Sequence, residues 1–352
     1  MTELFVPGRL CLFGEHSDWA AEYRRTNPEI SEGFTLIVGT NQGLYARVET
    51  HPDALVIRST MPGGEVRSQE IPMEPDALLA EAEAGGFFSY AAGVAYCICS
   101  QHPVAGLAID NYRTDLPVKK GLSSSASVCV LTARALNRLY DLGMTVRDEM
   151  EYAYLGETTT PSHCGRMDQA CAFGSRPIFM VHDCESTTVE ELDVGAPIHM
   201  VIVDLGSEKD TTEILAGLNG CYPFPRDKTA RDLHRYLGPL NQDIVRSAVG
   251  HLTEGDPEGL GKLMTETQLL FDGYCAPACP EELAAPLLHR VLEQESIAPL
   301  IWGGKGVGSQ GDGSAQLVGR SEADRDEVMS ILDAEVGLSC LALDLLPEGG
   351  PI

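Results

Sequence analysis

The stretch PVKKGLSSSAS, residues 117–127, constrains this chain more than any other, because it joins an alternating apolar run to a long helical one. Before it, GLAIDNYRTDLPV alternates as a strand does. After it, Val128, Leu131, Leu136, Leu139 and Tyr140 recur at spacings of three to five, one face of a helix, and Gly143 stands where a helix stop is expected. A helix N-terminus offers unpaired N–H groups and about half a positive charge, which suits an anion. Glycine admits a close backbone approach, serine adds donors without bulk, and a serine oxygen can ligate Mg²⁺. A phosphate cradle is one reading and an ordinary serine N-cap is the other. The Walker A form is excluded, since no GK[ST] follows the glycine.

The chain has 352 residues, enough for two domains, with 43 % hydrophobic and 22 % charged residues, as in soluble globular proteins. Strands crowd residues 1–197 (TLIVGTNQGLYARVET, 35–50, and ALVIRST, 54–60). Residues 198–352 are richer in helix, around 223–250, 257–275, 280–296 and ADRDEVMSILDAEV; IHMVIVDLG (198–206) and AQLVG (315–319) read as strands there. The expected division is therefore 1–197 and 198–352, on DVGAP. A net charge of −27 repels nucleic acid and anionic lipid, so neither is an expected partner, and any anionic substrate needs a local basic pocket. Apolar runs fall short of the roughly 18 residues of a membrane span, and no secretory signal opens the chain. Eleven scattered cysteines, an odd number, suit reduced thiols in a cytoplasm, and none shows the C-x-x-C spacing of a zinc site.

Two further segments carry chemistry. PGRLCLFGEHSDW, residues 7–19, places Arg9, Glu15, His16 and Asp18 within ten positions. Two carboxylates and an imidazole on one turn suit sugar hydroxyls, and an arginine on the preceding strand suits a transferring phosphoryl; a polar surface turn is the bland alternative. CGRMDQ, residues 164–169, sets Asp168 between Met and Gln as a candidate buried base, with Glu157 eleven residues upstream at a helix end; either carboxylate could also be a solvated or capping group.

Together these segments resemble the GHMP kinases, the family of galactokinase, homoserine kinase, mevalonate kinase and phosphomevalonate kinase. PGRLCLFGEHSDW looks like the galactokinase signature, PVKKGLSSSAS like the ATP-phosphate loop, and CGRMDQ like the segment bearing the catalytic aspartate. GGKGVGSQGDGSAQLV (303–318) stands where the family has its glycine-rich third motif. The resemblance implies an α+β fold, with an N-terminal domain like domain 2 of ribosomal protein S5 and a C-terminal ferredoxin-like domain. It implies an ATP-dependent sugar kinase using Mg²⁺, most like galactokinase and its anomeric-kinase relatives, acting on a small-molecule sugar as a monomer or homodimer. Asp168 would be the base and Arg9 would stabilise the transferring phosphoryl. Ser125 (or Ser124) and Glu157 would hold Mg²⁺. Lys120, Gly121, Leu122, Ser123, Ser124, Ser125, Ala126 and Ser127 would form the ATP loop, and Glu15, His16 and Asp18 would bind sugar hydroxyls.

The chain departs from the galactokinase pattern in three places. Residues 20–31 intervene before Glu32-Gly33 and carry Arg24 and Arg25, which would suit an anionic sugar (a sugar phosphate or uronic acid) or form a solvated loop. Lys305, Gln310 and Asp312 interrupt the third motif, Lys305 as a candidate phosphate contact and Asp312 as a candidate partner of backbone or substrate. Trp19 replaces the usual tyrosine. A galactokinase-like ligand sensor without catalysis and a mevalonate-type kinase are the alternatives.

Overall fold

The structure is a computed structural model and describes residues 1–61, 64–116, 121–162, 164–207 and 209–347. The chain divides into two compact units, each discontinuous in sequence: residues 1–9 with 39–175, and residues 10–38 with 176–351.

The first unit contains β3 (Ala54–Thr60), β4 (Val66–Pro72) and β5 (Gly106–Thr114); the long strands β1 (Thr2–Phe13) and β2 (Gly33–His51) run through both units. The order is β4-β3-β5-β2, with β1 also paired to β2. β3 and β5 are parallel, Leu55 opposite Leu107, so the chain between them needs a crossover, supplied after β4 by helices Pro75–Ala84 and Ser89–Cys99. Helices Ser124–Tyr140 and Val146–Thr158 complete the unit. Helices Ser89–Cys99 and Val146–Thr158 meet at Gly93 and Gly156, where a Cβ on either would run into the other's backbone. That close approach fixes the height of the next residue, Glu157.

In the second unit, β6 (Ile178–Asp183) pairs with Gly33–Ile37 of β2, and β7 (Ser186–Glu191) pairs with β6. The expected boundary at 197/198 falls inside this unit, because the β6–β7 hairpin follows the first half of β2. A separate antiparallel sheet contains β8 (Ile198–Asp204), β9 (Ile301–Gly306), β10 (Ser314–Gly319) and β11 (Ser339–Leu345), in the order β11-β8-β10-β9. Numbered in chain order these strands lie 4-1-3-2, with helices after the first and third, which is the ferredoxin-like arrangement. Val201, Val203 and Leu317 pack there against Leu288, Val291 and Val328.

Some elements differ from the sequence expectation. The helix after the serine loop ends at Tyr140, capped by Asp141 in the left-handed conformation, rather than at Gly143. The glycine-rich third motif begins as strand β9. The helical stretches 223–250 and 280–296 each break at a proline, Pro239 in the wide turn Tyr236–Leu240 and Pro286 at the start of Pro286–Leu292, because proline lacks the donor that continues a helix.

Candidate active site

In the first unit Gly8 leaves room for β1 to lie against the serine loop, and the Arg9 amide donates to the Leu122 carbonyl at 3.1 Å. Gly121 (φ 76°) and Ser123 (φ 52°) both take the left-handed conformation, which glycine adopts freely and serine rarely. Ser123 is the N-cap of Ser124–Tyr140, yet its hydroxyl does not cap the helix; it donates to Asp168 Oδ1 at 3.0 Å. The first-turn amides are thus left without a side-chain cap.

Asp168 opens the 3-10 turn Asp168–Phe173. Its Oδ1 accepts from Ser123 Oγ, from Arg9 Nε at 3.0 Å and from Arg9 Nη2, while Arg9 Nη1 donates to the Gly121 carbonyl at 2.9 Å. The buried guanidinium therefore ties strand, loop and base together. Among the described residues no hydrogen bond reaches Oδ2, and the Asp168 side chain is 20 % exposed. Glu157 is buried in the last turn of Val146–Thr158 and accepts from Gln169 Nε2 at 2.8 Å. Burial and the nearby Asp168 charge push its carboxyl up to about 7, against the pull of hydrogen bonds from Ser125 and Gln169.

A buried ion pair braces this corner. Arg134 on Ser124–Tyr140 donates through Nε to Glu149 Oε2 at 2.8 Å and through Nη2 to the Ala172 carbonyl at 2.5 Å; Asn137 Nδ2 donates to Glu149 Oε1 at 2.8 Å. Two helices and the Asp168-bearing turn are fastened by one guanidinium.

The acidic turn belongs to the second unit. Gly14 (φ 99°) lies so close to the Phe34 carbonyl that a Cβ would clash. Ser17 Oγ donates to the carbonyls of Gly14 (2.7 Å) and Phe34 (2.8 Å) and locks the turn on β2. Glu15, His16 and Asp18 are all buried. The Glu15 carboxylate is ion-paired with the Lys305 ammonium, which also donates to the Gly306 carbonyl at 3.0 Å. His16 is left-handed (φ 71°); its Nδ1 accepts from Trp19 Nε1 at 3.1 Å, and among the described residues its buried Nε2 makes no hydrogen bond of normal geometry. Burial pushes its imidazole down to about 4, partly offset by the Ser309 backbone and helped by the charges of Lys209 and Lys305.

The structure thus brings Arg9, Ser123, Ser125, Glu157 and Asp168 together, and gathers Glu15, His16 and Asp18 in the other unit. Ser127 Oγ is engaged by the Pro7 carbonyl (2.8 Å), and Leu122 and Ala126 are buried; Lys120 lies outside the described residues. Lys305, a candidate phosphate contact in sequence, is instead 1 % exposed on Glu15, since a strand within a packed sheet buries its side chain. Arg24 donates to Asp183 Oδ1 (2.6 Å) and to the Ile30 carbonyl, and Arg25 to Glu185 Oε1 (2.6 Å). Asp312 Oδ1 accepts from the amides of Leu287 and Leu288, the backbone alternative of the two expected of it. Sequence reading missed Arg134, Glu149 and Gln169; the only available signal was an acid and a base on successive amphipathic helices.

Residues 89–175 match the family described as GHMP kinases N terminal domain. Galactokinase of Chloroflexus aggregans is 26 % identical over 309 residues, covering 77 % of this chain and 73 % of that one. Among solved structures, Lactococcus lactis galactokinase complexed with galactose superposes with a TM-score of 0.73 at 17 % identity, over 98 % of this chain and 93 % of that one. L. major mevalonate kinase in complex with R-mevalonate gives 0.70 at 18 %, over 99 % and 97 %. The chain has the α+β GHMP kinase fold, its residues 89–175 match that family's N-terminal domain, and it is similar to galactokinases over most of its length.

Proposed function

We propose that this chain is an ATP-dependent sugar kinase that transfers the γ-phosphate of ATP to a sugar hydroxyl, the anomeric 1-OH of a neutral hexose. The observation that carries the reading is the convergence of Arg9 and Ser123 on Asp168 Oδ1 at the uncapped N-terminus of Ser124–Tyr140. Phosphoryl transfer needs positioning and charge neutralisation more than covalent chemistry. Asp168 is held by one oxygen, which leaves Oδ2 to accept the substrate hydroxyl's proton. Arg9 sets a guanidinium beside the base, where charge on the transferring phosphoryl would be neutralised. Gly121, Ser123, Ser124 and the first-turn amides would receive nucleotide phosphates.

The donor set fits Mg²⁺. Ser125 and the buried Glu157 carboxylate offer hard oxygens, and Mg²⁺ is commonly held by one or two carboxylates together with substrate phosphates. When bound, the ion would neutralise phosphate charge. A cation beside Glu157 would also stabilise the ionised carboxylate that burial disfavours.

Sugar recognition is assigned to Glu15, His16 and Asp18. A neutral sugar is favoured over an anionic one because Arg24 and Arg25 are already engaged by Asp183 and Glu185. The anomeric position rests on the similarity to galactokinases. The test is ADP release from Mg-ATP across free hexoses, uronic acids, sugar phosphates and mevalonate, with Asp168→Asn as control. Turnover of one free hexose that the substitution abolishes, with a sugar 1-phosphate seen by NMR, is the expected result. Turnover of mevalonate alone, or sugar-dependent thermal stabilisation without turnover, would overturn it.

A further inference from the structure

The acidic turn contains an arrangement that the proposed function leaves unexplained. Tryptophan's indole nitrogen is a donor only, so the 3.1 Å contact from Trp19 Nε1 requires His16 Nδ1 to be the acceptor. In a neutral imidazole the proton then sits on Nε2. That atom is buried, and among the described residues it makes no hydrogen bond of normal geometry, the Ser309 backbone acting on it only weakly, so the ring presents a donor that the fold leaves under-used. A buried unpaired donor is costly, and it persists where a ligand supplies the acceptor.

The indole is itself held in place. It meets the Tyr222 ring edge-on (5.4 Å between centroids, 76° between planes) and the Tyr23 ring at 6.5 Å and 86°. Tyr222 stacks on Tyr23 (5.3 Å) and on His234 (4.0 Å), and the Tyr23 hydroxyl donates to Asn219 Oδ1 at 3.0 Å. The imidazole is stacked on Phe271 on another side, with centroids 6.3 Å apart. Ring orientation and tautomer are thus set from outside the turn. The charged groups that act on His16 are Lys209 and Lys305, both cationic, and cations disfavour a second ring proton.

We propose that Trp19 is a positioning residue for sugar recognition: its indole N–H fixes the Nε2–H tautomer of His16, so that a neutral imidazole donates to a substrate oxygen. The inference rests on the sugar-kinase reading for the identity of the acceptor, but not for the tautomer. It also gives a chemical reason for the tryptophan that replaces the galactokinase tyrosine. An indole N–H can only donate, whereas a phenol can donate or accept and would leave the tautomer unspecified.

The test has two arms. In the first, ¹⁵N-labelled ligand-free protein is examined by long-range ¹H–¹⁵N NMR at pH 7. The expected His16 signature is a pyridine-like Nδ1 and a pyrrole-like Nε2, and in Trp19→Phe this assignment is lost or reversed while folding, checked by circular dichroism, is kept. An Nδ1–H tautomer or an imidazolium in the unsubstituted protein would overturn the inference whatever the enzyme does. In the second arm, kinetics are measured with D-galactose and Mg-ATP. Trp19→Phe should raise KM for D-galactose about tenfold while kcat and KM for ATP change less. His16→Gln, whose amide keeps a donor near the Nε2 position without needing a tautomer, should make the protein indifferent to Trp19→Phe. Equal KM increases for Trp19→Phe in both backgrounds would reduce Trp19 to packing. Absence of any sugar turnover by the unsubstituted protein would fail the kinase reading, with the tautomer still decided by the first arm.

Discussion

Replacing Arg134 by methionine separates stability from catalysis in a way that tests the bracing of Asp168. The methionine keeps the apolar stem and removes two donations, from Nε to Glu149 Oε2 and from Nη2 to the Ala172 carbonyl. Arg134 and Glu149 side chains are 8 % and 6 % exposed, so among the described residues the abandoned carboxylate keeps only Asn137 Nδ2 in place of water. Breaking a buried pair from one side costs about 3–5 kcal/mol, a large part of the roughly 5–15 kcal/mol by which domains are stable. Adding Glu149→Leu removes the stranded charge. The double variant then lacks one acceptor for Asn137 and one donor for Ala172, about 1 kcal/mol each, so it should lie within about 2 kcal/mol of the unsubstituted protein. Catalysis should not follow. The Ala172 carbonyl anchors the turn that carries Asp168, and the double variant still lacks that anchor. A displacement near 1 Å at a reacting group costs about 10²-fold. Urea unfolding followed by fluorescence gives the stabilities, and hexose-dependent ADP release gives kcat. A double variant no more stable than Arg134→Met would refute the buried-charge argument, and a kcat that recovers with stability would show that the Ala172 tether does not position the base.

Two further outcomes follow from the acidic turn and the inserted loop. The folded His16 imidazole is pushed down to about 4 from 6.5, so the unfolded chain binds the proton first as pH falls. Stability is fully present above pH 6.5 and is lost by about 3 kcal/mol on descending to pH 4, from about 1.4 kcal/mol per unit; His16→Gln should remove that part of the slope in urea midpoints measured between pH 4.5 and 7, and an unchanged slope would count against it. Arg24→Ala should cost at most about 1 kcal/mol and Arg25→Ala less than about 0.5, as for partly exposed ion pairs. Neither should change the ratio of KM values for D-galacturonate and D-galactose, whereas a selective rise for the uronic acid would restore an anionic substrate.

What was legible in the sequence was local. The serine loop, the acidic turn and CGRMDQ each compress their chemistry into a few consecutive residues, and Gly, Ser and Asp there have conformational or hydrogen-bonding reasons to stand where they do. Strands with apolar alternation, such as ALVIRST and IHMVIVD, were equally plain. The polar strands β4 (VRSQEIP) and β7 (STTVEE) were not, because each lies at a sheet edge with little to bury, and β9 (IWGGKG) reads as a glycine loop. The buried charges were the least legible of all. Arg134 and Glu149 look like the polar faces of two amphipathic helices, and only the packing of those helices turns them inward. Lys305 and Glu15 are 290 positions apart. Each alone suggests a solvent-facing or ligand-facing charge, so motif reasoning sends the lysine to a phosphate and the glutamate to a sugar. Their pairing follows from burial, which neither ion could tolerate without the other. It also bears on the proposed recognition: a glutamate whose charge is already balanced by a buried ammonium can receive a neutral hydroxyl without importing net charge, whereas a second anion beside it would have no remaining counter-charge from Lys305.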